Sequence, residues 1–436
     1  MSKRFYVFQL LVVASFTYAQ FEEPVALAQK MIMEKNYHKA LETIDWAIKK
    51  EPNNYLHYLI RGNAKEGLGN YGDAISDYNY VIAHYPNDET VLMSRAHCNY
   101  LSGNFLNAIS DYEKVIQLNP KNADAFLNRG LILSKLGDDS SAEEDLTQSI
   151  KLRSSFLAFY ERGNIRYIHG RYAAAVADYL EAIKVQKNAD VFYRLASAYS
   201  KLGKELEAIN YINEAIEMFP ERVEYVMLRA NLYINLGKYA LAVEDLTKVC
   251  STNQYDPGCY FSRAQAYHNL NNFGKAIDDY TKAISINDQN PDYFFNRAIS
   301  YFNSGNFKQS LADFDKVSLL DPNKVDVYIF RANIHEMLNN DAAVERDLTL
   351  YLTYNPTANF VYKRRADIRL EMKKYAEALD DYNRFLEAYP NHSHALMQRA
   401  FVKMKLQNLA SACEDLKKSE ALGNKQASVL KKENCK

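Results

Sequence analysis

The sequence predicts an all-α solenoid of about twelve antiparallel helix hairpins. Three observations predict it. Proline recurs every 34 residues, as Pro52, Pro86 and Pro120 and again as Pro322, Pro356 and Pro390. At that period one position is always Gly or Ala: Ala28, Gly62, Ala96, Gly130, Gly163, Ala196, Ala230, Ala264, Ala298, Ala332, Ala366 and Ala400. A second position, downstream within each period, is small almost throughout, from Ala40 and Ala74 to Ala412, with Ser310 and Val344 as the departures. Two helices approach closely only where neither carries a bulky side chain, so the paired small positions mark one helix crossing repeated along the chain. A period of this length builds a stack in which neighbours supply the core that no single hairpin buries alone.

The chain has 436 residues and a formal net charge of −1. The balance stays near neutral when positions 1–19, which hold Lys3 and Arg4 and no acid, are left out. That balance gives no support to a nucleic-acid partner, which calls for a basic footprint. The 34 tyrosines fall mostly at repeat positions that face other helices, which makes them packing residues first.

Residues 1–19 read as a secretory leader. Lys3 and Arg4 precede an apolar run at 5–16, and Thr17-Tyr18-Ala19 places small residues before Gln20. This layout predicts cleavage before Gln20 and a periplasmic or secreted mature chain. The apolar run is short for a bilayer span, so a permanent anchor is the lesser reading. No cysteine marks a bacterial lipid anchor, and no later segment is apolar enough to cross a membrane, so no integral span is expected after cleavage.

Residues 20–424 form the hairpin array. In the second hairpin, 55–67 carries apolar or small residues at helical spacing and is its first helix. Leu68-Gly69-Asn70-Tyr71-Gly72 is the turn, with Gly69 suited to the left-handed conformation that closes a helix. Residues 73–84 form the second helix, and Tyr85-Pro86-Asn87-Asp88 ends it and caps the next. Residues 425–436 are polar and read as a capping helix, since a terminal repeat needs a solvent-facing lid.

Period, small positions, turn aromatic and terminal proline together resemble the tetratricopeptide repeat. The resemblance covers about residues 22–424. The closing proline is missing near Ser154, Lys187, Gln254, Asp288 and Asn424, and two repeats near 142–208 are a single position shorter than the rest. The first repeat carries Leu27 and Met31 where aromatics are usual. The resemblance implies a right-handed superhelix with the first helices lining a concave groove that binds peptides or protein segments, without catalysis.

Arginine and aspartate recur together at one fixed spacing: Arg61/Asp77, Arg95/Asp111, Arg129/Asp145, Arg162/Asp178, Arg229/Asp245, Arg263/Asp279, Arg297/Asp313, Arg331/Asp347, Arg365/Asp381 and Arg399/Asp415. The hairpins lacking the pair lack both members, with Leu27/Thr43 and Leu195/Tyr211 instead. Joint presence and joint absence predict contact, because either charge half-buried alone is costly.

Gly67-Leu68-Gly69-Asn70-Tyr71-Gly72 spells a dinucleotide fingerprint, but a helix precedes it where a strand is required, so it is an ordinary repeat turn. No nucleophile elbow, phosphate loop or zinc motif occurs, and His392 and His394 lack a third ligand nearby. The chain is therefore expected to be no enzyme and to need no cofactor or metal. In an exported chain, Cys250 with Cys259 and Cys413 with Cys435 are placed to form disulfides, while Cys98 occupies a buried apolar position. The alternative is five packing thiols.

Two rows of first-helix positions are the candidate partner surface. One is apolar and includes Tyr160, Tyr193, Phe261 and Phe295. The next is mostly polar and includes Asn63, Asn164, Asn231, Gln265 and Asn333. Aromatics hold side chains, and amides pair with an extended backbone, so the expected partner is a mostly uncharged polypeptide segment. Lys363, Arg364, Arg365, Arg369, Lys373 and Lys374 form the one basic cluster. A carbohydrate-binding or regulatory module using the aromatic row is the alternative to a protein-binding scaffold in envelope or secretion assembly.

Overall fold

The computed structural model describes residues 23–435. The expected leader and its expected cleavage point lie outside the described residues. Helices account for about four fifths of the described chain, and no strand occurs among the described residues.

The chain divides into two compact units, Met1–Pro220 and Glu221–Lys436. The first contains six hairpins. They are α1 (Glu23–Met33) with α2 (Tyr37–Lys50), α3 (Tyr55–Gly67) with α4 (Tyr71–His84), and α5 (Glu89–Leu101) with α6 (Phe105–Leu118). Then come α7 (Ala123–Leu136) with α8 (Asp139–Leu152), α9 (Phe156–Ile168) with α10 (Tyr172–Val185), and α11 (Ala189–Lys201) with α12 (Glu205–Met218). The second unit begins with α13 (Val223–Asn235) and α14 (Tyr239–Thr252), α15 (Pro257–Asn269) and α16 (Phe273–Ile286), and α17 (Pro291–Asn303) and α18 (Phe307–Leu320). It ends with α19 (Asp326–Met337) and α20 (Asp341–Tyr354), α21 (Asn359–Glu371) and α22 (Tyr375–Ala388), α23 (Ser393–Lys405) and α24 (Leu409–Ala421), and the single helix α25 (Lys425–Asn434).

Each hairpin turns through one left-handed residue. Gly69, Gly103 and Gly137 do this at φ near +80°, where glycine carries no Cβ penalty. Five hairpins manage it without glycine, at Lys35, Asn271, Asn339, Lys373 and Gln407. Between hairpins, side chains cap the first helix: Asn54 accepts from the Leu56 amide, Asp88 from Thr90 and Val91, and Asp256 from Gly258.

The small positions are where paired helices meet. Ala96, Ala230, Ala264 and Ala298 are fully buried, as are Ala108, Ala242, Ala276 and Ser310 opposite them. A Cβ on Gly62 would stand 2.7 Å from the Tyr78 ring, and one on Gly163 would stand 2.7 Å from Tyr179. Consecutive first helices touch, as α1 with α3, α3 with α5 and α9 with α11 do in the first unit, and α13 with α15 and α15 with α17 in the second. Consecutive second helices do not pack to that extent among the described residues. Each unit is therefore tighter on the side of its first helices, which form its inner face.

At the C-terminus α25 covers a cluster of Met397, Ala400, Ala412 and Leu416 with Ala427 and Leu430. A Cys413–Cys435 disulfide, with Cα atoms 5.8 Å apart, fastens it to α24. Cys250 and Cys259 are likewise joined, Cα atoms 5.5 Å apart, across the loop from α14 to α15. Cys98 is free and fully buried. Burial, and after it the Glu66 carboxylate, pushes its thiol pKa up, which keeps it neutral.

Candidate functional site

The Arg–Asp pairs lie between the two helices of ten hairpins and are bidentate in nine of the ten. Arg263 donates from Nε to Asp279 Oδ2 at 2.7 Å and from Nη2 to Oδ1 at 2.8 Å. Arg297 does the same to Asp313 at 2.7 Å for both bonds, and Arg61 to Asp77 at 2.9 and 2.6 Å. The hydrogen bonds to Asp279 raise the Arg263 pKa against the opposing effect of burial. The fork geometry of guanidinium and carboxylate makes such pairs directional as well as charged.

The third guanidinium nitrogen reaches the preceding hairpin. Arg61 Nη1 donates to Asp45 at 3.1 Å, Arg297 Nη1 to Thr281 at 2.9 Å, Arg365 Nη1 to Thr349 at 2.9 Å and Arg399 Nη1 to Asn383 at 2.9 Å. One arginine thus ties its own two helices to the second helix of the neighbour. Several aspartates gain a second cation from one turn further along the first helix: Lys65 lies 2.8 Å from Asp77, and Lys403 lies 2.7 Å from Asp415.

Arg331 and Asp347 meet across their hairpin as expected but are the one pair of the ten without the paired hydrogen bonds. They form an ion pair at 3.0 Å, yet Arg331 Nε and both Asp347 oxygens are buried without a hydrogen-bond partner. Arg331 Nη1 also sits 3.0 Å from Asp315, on the preceding hairpin as in the other pairs. Burial of the unbonded carboxyl pushes the Asp347 pKa up to about 6, although Arg331 pulls the other way.

The two rows of candidate partner residues face inward along the first helices, and the two units treat them differently. In the first unit the Tyr78 hydroxyl lies 2.8 Å from Asn63 Oδ1 and 2.7 Å from Glu66 Oε2. The Tyr179 hydroxyl donates to Asn164 Oδ1 at 2.9 Å, and Asn164 Nδ2 donates to Glu161 at 3.2 Å. Asn63 and Asn164 are therefore engaged within their own hairpins, which corrects the expectation that the whole amide row is open. Their engagement follows from the tyrosine on the second helix of each hairpin.

In the second unit the positions equivalent to those tyrosines, opposite Asn231 and Asn333, are Leu246 and Leu348, which carry no hydroxyl. Asn231 is exposed, Gln265 and Asn333 are half-buried, and their side chains make no hydrogen bond among the described residues. Beside them Phe261 lies with ring centroids 5.8 Å from Tyr280 and 5.0 Å from Tyr293. Phe295 packs edge-on against Phe314 and Phe330, and Lys324 Nζ sits 4.5 Å above it. One turn along, Asn235, Asn269 and Asn303 are exposed in a second amide row. Sequence reasoning passed over that row, although its recurrence at the repeat period marks it.

Tyr160 and Tyr193 are half-buried on α9 and α11 of the first unit, with Tyr160 stacked 5.9 Å from Phe156. The basic cluster on α21 is largely neutralised: Lys363 bonds Asp367, Arg364 pairs with Glu336, and Arg369 and Lys374 share Glu345. No group of three or more metal-ligating side chains occurs among the described residues.

Family models of the tetratricopeptide repeat match residues 35–89, 123–156, 189–222, 223–256, 257–290 and 364–392, and a TPR repeat model matches 99–137 and 163–203. Human Tetratricopeptide repeat protein 13 is 30% identical over 115 residues, which are 26% of this chain and 13% of that protein. The Mitochondrial import receptor subunit TOM70 of Rattus norvegicus is 34% identical over 95 residues, 20% of this chain and 16% of that one. The chain thus spans under a fifth of the length of these curated relatives. Among solved structures, YrrB, described as a TPR protein with an unusual peptide-binding site, is 23% identical at a TM-score of 0.39, covering 41% of this chain and 92% of its own. A tetratricopeptide repeat protein from Parabacteroides merdae is 20% identical at 0.39, covering 56% and 97%. With the repeat matched over more than half of the chain, on hairpins of this geometry, the chain belongs to the tetratricopeptide repeat family.

Proposed function

We propose that this chain is a non-catalytic scaffold, exported from the cytoplasm, that holds an extended polypeptide segment of a partner in envelope or secretion assembly. The observation that carries the reading is the inner face of the second unit. There half-buried Phe261 and Phe295 run beside Asn231, Gln265 and Asn333, whose amides have no internal partner among the described residues. A buried aromatic row offers pockets for alternate side chains. An open amide row offers a donor and an acceptor at each step of an extended backbone. Export is supported by the leader layout and by the two disulfides, which persist in oxidising compartments.

The test begins with protein purified from its host. Its intact mass is expected to correspond to a chain beginning at Gln20, and a full-length mass removes the export reading. A partner captured from envelope extract is then titrated against two variants. Replacing Asn231, Phe261 and Phe295 by Ala together should reduce binding at least ~100-fold, the combined loss of anchors worth roughly 1–2 kcal/mol each. Replacing Lys282 and Lys308 on second helices should leave binding unchanged. The reverse pattern would show that the inner face is not the site.

A further inference from the structure

His268 lies on the inner face of the second unit, one turn beyond Gln265 and two beyond Phe261 on α15. One side of its ring is held. Ser300, fully buried on α17, donates its single hydroxyl proton to the Asn296 carbonyl at 3.0 Å. The Ser300 oxygen stands 2.8 Å from His268 Nδ1, so it is left to accept, and Nδ1 carries the ring proton. Phe273 of α16 meets the ring edge-on, centroids 5.3 Å apart, and fixes its plane. Nε2 is therefore the bare nitrogen, an acceptor.

That acceptor is poorly used. Its one hydrogen-bond partner among the described residues is the Asn303 amide, whose Nδ2 stands 3.4 Å away, at the long limit for such a bond. Asn303 is exposed and His268 half-buried, so Nε2 lies beside the second amide row. Asn269, on the same row, donates from Nδ2 to the Gln265 carbonyl at 2.8 Å. The side chains that touch the ring from other helices, Phe273, Ser300 and Asn303, carry no charge. The charged groups of the surrounding helices have other partners. Arg263 of α15 bonds Asp279 of α16, Arg229 of α13 bonds Asp245 of α14, Arg297 of α17 bonds Asp313, and Lys275 of α16 lies 5.3 Å from the Tyr267 ring. Burial alone moves the His268 pKa, and moves it down, which keeps the ring neutral at pH 7.

We propose that His268 Nε2 accepts a hydrogen bond from a backbone N–H of the segment held on the inner face, and that protonation of the ring ends this bond. The inference rests on the inner-face reading and adds to it one fixed point of backbone register and a release by acid. A neutral N–H fits better than a cation, because no carboxylate faces the ring among the described residues to offset one. Ser300 is a positioning residue, which decides which nitrogen is bare. A proton and the segment compete for one lone pair. Affinity is therefore level where the ring is neutral and falls as pH drops through the His268 pKa, which lies below the ordinary 6.5.

The test uses the full mature chain and a random array of short peptides, acetylated and amidated so that no terminal charge remains. Each amide of the best binder is then replaced in turn by an ester, which removes one N–H and keeps the shape of the chain. At one position the ester is expected to weaken binding to wild type on the order of ten-fold. His268→Phe should bind the parent peptide more weakly by a similar factor and show no ester effect at that position. His268→Gln sets a carbonyl oxygen near the place of Nε2 and does not titrate. It should bind near neutrality as wild type does and keep that affinity as pH falls, while wild type loses up to about ten-fold per pH unit below the His268 pKa. Ser300→Ala should shrink the ester effect, since Nδ1 then has no fixed acceptor. The inference fails, and the inner-face reading stands, if no position shows an ester effect in wild type or if that effect survives in His268→Phe. It fails likewise if wild type and His268→Gln respond alike to acid. If no peptide binds wild type, both fail.

Discussion

Asp279→Ala is expected to destabilise the second unit by roughly 2–4 kcal/mol, within the range for stranding one partner of a buried charge pair. Both hydrogen bonds to Asp279 vanish, and Arg263 is left with Thr247 Oγ1 at 3.4 Å as its remaining fixed acceptor. The arginine side chain is only 17% exposed, so water compensates it poorly. Removing Arg263 as well should therefore cost less than the two single losses added together, because the double variant strands no charge. Urea unfolding of the four proteins closes the cycle. Strict additivity would show that the pair acts as two independent surface groups.

Asp347→Asn, at the equivalent position two hairpins later, is expected to have the opposite sign at neutral pH. In the folded chain burial holds the Asp347 pKa at about 6, against an ordinary 3.8. Between those values the folded state keeps a proton that the unfolded chain releases, so stability falls as pH rises from about 4 to 6 and stays reduced above. A shift of about two units corresponds to at most ~3 kcal/mol at pH 7. The amide variant carries no ionised form, so it should be more stable than wild type at pH 7 by about 1–3 kcal/mol and equal to it near pH 4. Arg331 keeps Asp315 in either case. Unfolding curves at the two pH values decide the matter. A loss at pH 7 resembling that of Asp279→Ala would mean that Asp347 is bonded like its counterparts.

The fold was legible because it is written many times over. A single Ala96 or Pro120 says little, but their recurrence at one period leaves the hairpin as the only consistent reading. Arg263 and Asp279 were legible for the same reason, and the joint absence at Leu195 and Tyr211 sharpened it. The reach of each arginine to the preceding hairpin was not legible. Its acceptor is Asp45, Asn383 or Thr281 by turns, since any short oxygen serves, and no residue type marks the position. The difference between Asn63 and Asn231 was hidden too: both are asparagines in one register, and their fates are set by a tyrosine or a leucine on another helix.

The guanidinium that bridges neighbouring hairpins bears on how such a chain can lengthen or shorten. Its bonds run forward to its own second helix and back to the preceding one at equal sequence distances, so the set of bonds repeats with the hairpin and contains no reference to position in the chain. Excising one full period, positions 263–296 for example, would bring Arg297 into the place of Arg263, still facing Asp313 and now meeting Thr247 where it had met Thr281. No member of a recurring Arg–Asp pair is orphaned by the excision, although Lys324 loses Asp292, and the Cys250–Cys259 bridge is untouched. Duplication of the same stretch likewise keeps every such pair. The recurring pairs of this array therefore leave its length open to change in whole hairpins and penalise every fractional step, which would move an arginine off its aspartate.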